Sequence, residues 1–121
     1  MKKNIIGLAI VIMILAAGAA YGANDHSLAF EGYQQMRQGN LKMAVKLFKK
    51  ALRANPHNGN ALLNLGVVFH KTDRSEAACR LFKKILKLNA RGIVTISGHQ
   101  QHIGTSLADM ARKNLKLLGK L

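Results

Sequence analysis

From Leu28 onward the apolar positions fall at helical intervals. Ala44, Leu47, Phe48, Ala51 and Leu52 stand at i, i+3, i+4, i+7 and i+8, the stripe of a helix packed on one side. Ala78, Leu81, Phe82, Ile85 and Leu86 repeat that spacing. Ahead of the second stripe, Leu62, Leu65, Gly66 and Phe69 define one face of a further helix. Turns are expected at Gln38-Gly39-Asn40 and Thr72-Asp73-Arg74, with Ser75 as the N-cap of the helix that follows. Asn55-Pro56 ends the first pair of helices, because proline disfavours a helical residue before it.

Shifting the chain by 34 residues aligns 25–58 with 59–92. Leu28/Leu62, Gly32/Gly66, Ala44/Ala78, Leu47/Leu81, Phe48/Phe82, Lys49/Lys83, Lys50/Lys84, Leu52/Leu86 and Asn55/Asn89 are identical, where unrelated segments would share about two positions. The chain therefore contains a duplicated unit of two helices. A glycine inside a helical stripe costs up to ~1 kcal/mol against alanine, so the recurrence of Gly32 and Gly66 implies close approach of the neighbouring helix. After Arg91 the register fails, and the segment 93–104 has no clear assignment. Ser106-Leu107-Ala108-Asp109 resembles a capping box with Asp for Glu. It opens a C-terminal helix striped by Leu107, Ala111, Leu115 and Leu118, which is expected to close the open end of the second unit.

The period and residues resemble the tetratricopeptide repeat, with its pattern W-x₂-L-G-x₂-Y…A-x₃-F…P. Leu62, Leu65-Gly66, Phe69, Ala78 and Phe82 fit in the second unit, with Ala90 in place of the proline. Gly32, Ala44, Phe48, Ala51 and Pro56 fit in the first, where Glu31 and Gln35 occupy two usually apolar places. That departure suits a terminal repeat with one side in water. The resemblance implies an all-α fold: a short right-handed α-solenoid of two helix hairpins (25–58 and 59–92) and a capping helix within 93–121. Gly32, Ala44, Phe48, Leu65, Gly66, Ala78 and Phe82 would form its packing seams.

The same resemblance implies a peptide-binding groove lined by the first helix of each unit. Tyr33, Met36 and Arg37, then Asn64, Val67, His70 and Lys71, would face it. Asn64 stands where family members often hold a peptide backbone with an amide, which donates and accepts together. Arg37 and Lys71 are register-equivalent and would favour an acidic segment or a C-terminal carboxylate. The stricter carboxylate clamp of some relatives is not reproduced, since Ala29 and Tyr33 stand where its Lys and Asn would be.

Charge changes the picture next. Across 121 residues, 19 Lys+Arg against 5 Asp+Glu give a net charge of +14. Much of it repeats: Lys46, Lys49, Lys50 and Arg53 recur as Arg80, Lys83, Lys84 and Lys87. Stacked units would set these side by side on a convex basic surface, extended by the cationic C-terminal helix. Such a band suits anionic membrane, cell-wall polymer or an acidic protein. With no Trp and few aromatics, nucleic acid is not expected as a partner.

The N-terminus has another character. Met1-Lys2-Lys3 precedes the apolar run Ile5–Ala20, and no charge occurs from Asn4 through Asn24. Basic start, apolar run and small residues are the order of a secretory signal peptide, with Ala20-Tyr21-Gly22 placing cleavage after Gly22. The alternative is an uncleaved anchor, as a spanning helix needs ~20 apolar residues. Either way the remainder is exported, to the periplasm or the cell exterior of a bacterium. Lipidation is disfavoured because no Cys stands at the cleavage point.

No catalytic constellation is present. Asp25, Glu31, Asp73, Glu76 and Asp109 are scattered and form no close carboxylate pair. The single Cys79 aligns with Val45, an apolar packing site. His99-Gln100-Gln101-His102 lacks a third ligand for a metal. We therefore expect no cofactor, no metal and no enzyme, but a protein- or peptide-binding adaptor in the bacterial envelope. The alternatives are a peripheral binder of anionic membrane or wall polymer, and a subunit of an export or appendage-assembly complex. Two units fall below the ~3 usually needed for independent stability, so the ends would be marginal or covered by a partner or a second copy.

Overall fold

The computed structural model describes residues 24–91 and 106–121. The leader 1–22 and the whole segment 93–104, with the His99/His102 pair, lie outside the described residues. Five helices occur among the described residues: α1 (Asp25–Arg37), α2 (Leu41–Ala54), α3 (Gly59–Lys71), α4 (Ser75–Ala90) and α5 (Leu107–Leu117). None of them is long and apolar enough to cross a membrane. The all-α expectation is borne out as a short solenoid: α1 packs on α2 and α3 on α4, while α3 also rests on α2 and touches α1.

Local chemistry sets the helix ends. Asn24, Asn58 and Ser106 are side-chain caps, accepting from the backbone amides of Ser27, Ala61 and Asp109 at 2.8, 3.0 and 3.1 Å. Ser106 also donates its hydroxyl to Asp109 at 2.6 Å, so the Ser-Asp capping arrangement forms. Ser75 departs from expectation. It is the first residue of α4, and the cap position belongs to Arg74, which makes no capping bond with its side chain. The reason is the turn: Asp73 takes φ 59°, which brings the chain into the helix one residue sooner. Gly39 holds the equivalent position of the first hairpin at φ 82°. Both residue types tolerate this left-handed backbone.

The core repeats with the sequence. Phe48 and Phe82 are fully buried, each beneath the glycine of its own hairpin. A Cβ on Gly32 would lie 2.7 Å from Phe48 Cε1, and one on Gly66 would lie 2.6 Å from Phe82 Cε1. The glycines therefore admit an aromatic edge against bare backbone. Ala44 and Ala78 are likewise fully buried at equivalent sites. Cys79 is a buried free thiol within the core.

One polar knot ties the hairpins together. Asp25 Oδ2 accepts from Asn55 Nδ2 at 3.0 Å and from Asn58 Nδ2 at 2.9 Å. The start of α1 is thereby joined to the loop between the hairpins. Burial disfavours the charged form of Asp25, but the two amides outweigh it, helped by His26 and the backbone. The carboxyl accordingly titrates below its ordinary value.

α5 rests on α4 and, more lightly, on α3, as α3 rests on α2 and α1. Its buried Ala111 and Leu115 face the preceding hairpin as Ala61 and Leu65 of α3 do. Arg112 and Lys116 stand where α3 carries the seam residues Leu62 and Gly66, and both are exposed. α5 thus takes the place against α3 and α4 that a first helix takes, with charge on its far side.

Candidate peptide-binding groove

The first helices of successive units share one side of the stack and enclose a groove of about 390 Å³. α1 contributes Tyr33 and Met36; α3 contributes Leu63, Asn64 and Val67; α5 contributes Met110, Lys113, Asn114 and Leu117. Tyr33, Met36, Val67 and Met110 are half-buried, so each presents part of an apolar side chain to the opening. Leu117 is 69% exposed, more than any core position would tolerate, and marks the rim. Among the described residues of the lining, Lys113 is the only charged one.

Of the residues expected to face this groove, the structure brings together Tyr33, Met36, Asn64 and Val67. Arg37, His70 and Lys71 stand outside the lining. They belong to the last turns of α1 and α3, beyond the stretch that α5 faces. Arg37 instead lies 6.0 Å from the Tyr33 ring centroid, a weak cation–π distance. His70 is half-buried with Nδ1 out of solvent and without a hydrogen-bond partner among the described residues.

Sequence reasoning missed the third wall. Shifting α3 by 50 residues aligns Ala61, Asn64 and Leu65 with Ala111, Asn114 and Leu115. This is the signal that would have placed α5 as a first helix and brought Asn114 to the groove beside Asn64. Asn114 holds its side chain by donating Nδ2 to the Met110 carbonyl at 2.8 Å. Asn64 is 8% exposed, an amide set into the floor.

The other expected surface lies on the second helices. Lys46, Lys49, Lys50 and Arg53 on α2, and Arg80, Lys83, Lys84 and Lys87 on α4, are all exposed. α5 does not prolong the band. Lys113 turns to the groove, and Arg112 pairs with Asp109 at 3.0 Å, because α5 occupies a first-helix place and not a second-helix one. Among the described residues, no group of three His, Cys, Asp or Glu side chains is positioned to hold a metal ion.

Stacked hairpins whose first helices line a common trough define a short helical-repeat protein of the interaction type. A family model described as tetratricopeptide repeat matches residues 35–91, and the chain carries the repeat over that stretch. It is 36% identical over 58 residues to a TPR repeat-containing protein of Methanocaldococcus jannaschii, a match covering 48% of this chain and 10% of that protein. The chain thus spans about a tenth of the length of this curated relative. No solved structure matches the chain at a significant level. Tetratricopeptide repeats generally mediate protein–protein interaction and are generally non-catalytic.

Proposed function

We propose that the chain captures a peptide segment of a partner protein in the groove between α1, α3 and α5, as a non-enzymatic adaptor at the bacterial cell envelope. The observation that carries this reading is the composition of the groove wall. Half-buried apolar side chains from three helices surround two asparagines and one lysine. An apolar lining with a few fixed polar groups is the usual character of a recognition site. Asn64 and Asn114 suit the backbone of a bound segment, and Lys113 suits an acidic side chain or terminal carboxylate. The envelope location is supported by the basic start and the uncharged apolar run Ile5–Ala20.

The test is affinity capture from envelope extract with the wild type and a Leu117→Glu, Lys113→Glu variant. Both side chains are exposed, so thermal unfolding should be unchanged while the captured partner is lost. An unchanged set of partners would refute the groove assignment. For the location, the exported protein should begin at Ala23 or retain Met1; recovery of the chain in the cytoplasm alone would refute it.

A further inference from the structure

We propose that the outer faces of α2 and α4 form a docking surface for an anionic phospholipid bilayer, independent of the groove. On each helix four cations fall at i, i+3, i+4 and i+7, which gathers them into a single stripe. All eight are exposed, and none shares an ion pair with a described residue. The 34-residue repeat makes the two stripes equivalent, so stacking the hairpins sets one beside the other. α2 has no acidic residue, and α4 has only Glu76 in its first turn, ahead of the stripe. The positive potential is therefore not cancelled locally.

The residue types favour a bilayer over a protein. Six of the eight cations are lysines, and lysine is depleted in protein interfaces, where arginine and aromatic side chains dominate. Neither stripe contains an aromatic residue, and Met43 is the one large exposed apolar side chain on either helix. A broad lysine array without anchor residues suits the diffuse potential of an anionic leaflet. Four residues separate the apolar run Ile5–Ala20 from α1. A chain that retains the run holds both stripes within reach of a membrane.

The test is co-sedimentation of the full chain with vesicles of phosphatidylcholine alone and with about one-third phosphatidylglycerol, a composition that supplies the anionic surface potential. The apolar run contributes to both, so the ratio between them isolates charge. The wild type should favour the anionic vesicles, and raising NaCl from about 0.05 to 0.5 M should abolish the preference. Each basic residue near the surface is worth about fivefold in partitioning. Changing Lys49, Lys50, Lys83 and Lys84 to Gln should therefore lower the preference by about a hundredfold or more. A control carrying Gln at Lys71, Lys113, Lys116 and Lys120 has the same net charge and should keep most of it. Circular dichroism verifies that both variants are folded. Equal losses in the two variants, or no preference in the wild type, would overturn the proposal. So would binding to a DNA duplex that survives salt concentrations at which vesicle binding is gone, which would make nucleic acid the partner of the band.

Discussion

α1 buries only Ala29 and Gly32, whereas ten of the thirteen residues of α3 are out of solvent, although the two helices hold the same place in their hairpins. The difference lies in their neighbours. α3 is enclosed by α2 before it, α4 beside it and α5 beyond it, while α1 has no helix on its outer side among the described residues. The amino acids follow this closely. At two matching positions α1 carries Glu31 and Gln35 where α3 carries Leu65 and Phe69. In a repeat stack a unit's pattern encodes its own hairpin seam, and its remaining faces encode its place in the row.

This contrast can be broken most severely at the seam. Phe82→Ala should cost about 3–5 kcal/mol, as expected for a large buried aromatic, and Phe48→Ala should fall at the lower end of that range. The cavity left by Phe48 adjoins α1, which is free to settle inward. Urea denaturation of both variants measures the difference. Equal losses would mean that the terminal hairpin is as constrained as the inner one. A loss of this size is a large share of the ~5–15 kcal/mol typical of a whole domain.

A smaller effect is expected at the glycines. Alanine at Gly66 or Gly32 brings a methyl within 2.6 or 2.7 Å of a buried ring, and overpacking costs about 1–3 kcal/mol. Better helix propensity returns up to ~1 kcal/mol. Gly66→Ala should thus be clearly destabilising and Gly32→Ala nearly neutral, because α1 can shift outward and α3 cannot. Adding Phe82→Leu to Gly66→Ala should recover part of the loss, as a double-mutant cycle would read.

The smallest effect concerns the knot that only the first hairpin possesses, since Gly59 stands in α3 where Asp25 stands in α1. The Asp25 carboxyl titrates below its ordinary value in the folded chain. Its contribution is complete above the unfolded value of about 4 and disappears as pH falls through the folded value. Asp25→Asn should cost about 1 kcal/mol or less at neutral pH and flatten the acid limb of the stability profile below about pH 4. Thermal unfolding across pH 2–7 would reveal this, and an unaltered acid limb would assign the acid sensitivity elsewhere.

Much of the architecture was legible in the chain itself. The 34-residue register, the paired glycines and phenylalanines and the Ser106 cap all act over one or two helical turns or between adjacent helices. Periodicity and matched side-chain size therefore reveal them without coordinates. Tyr33, Met36, Asn64 and Val67 are placed on a common face by the resemblance to the repeat family, which implies a groove lined by first helices. What only the tertiary structure decided was the docking of α5, which lies outside the repeat period and whose place depends on packing against residues far away in sequence. That docking brings Lys113, Asn114 and Leu117 to the groove and leaves Arg37, His70 and Lys71 beyond its end. It also confines the basic band to α2 and α4. The Asp25–Asn55–Asn58 knot belongs with these, because a hydrogen bond spanning some thirty residues leaves no periodic trace in the sequence.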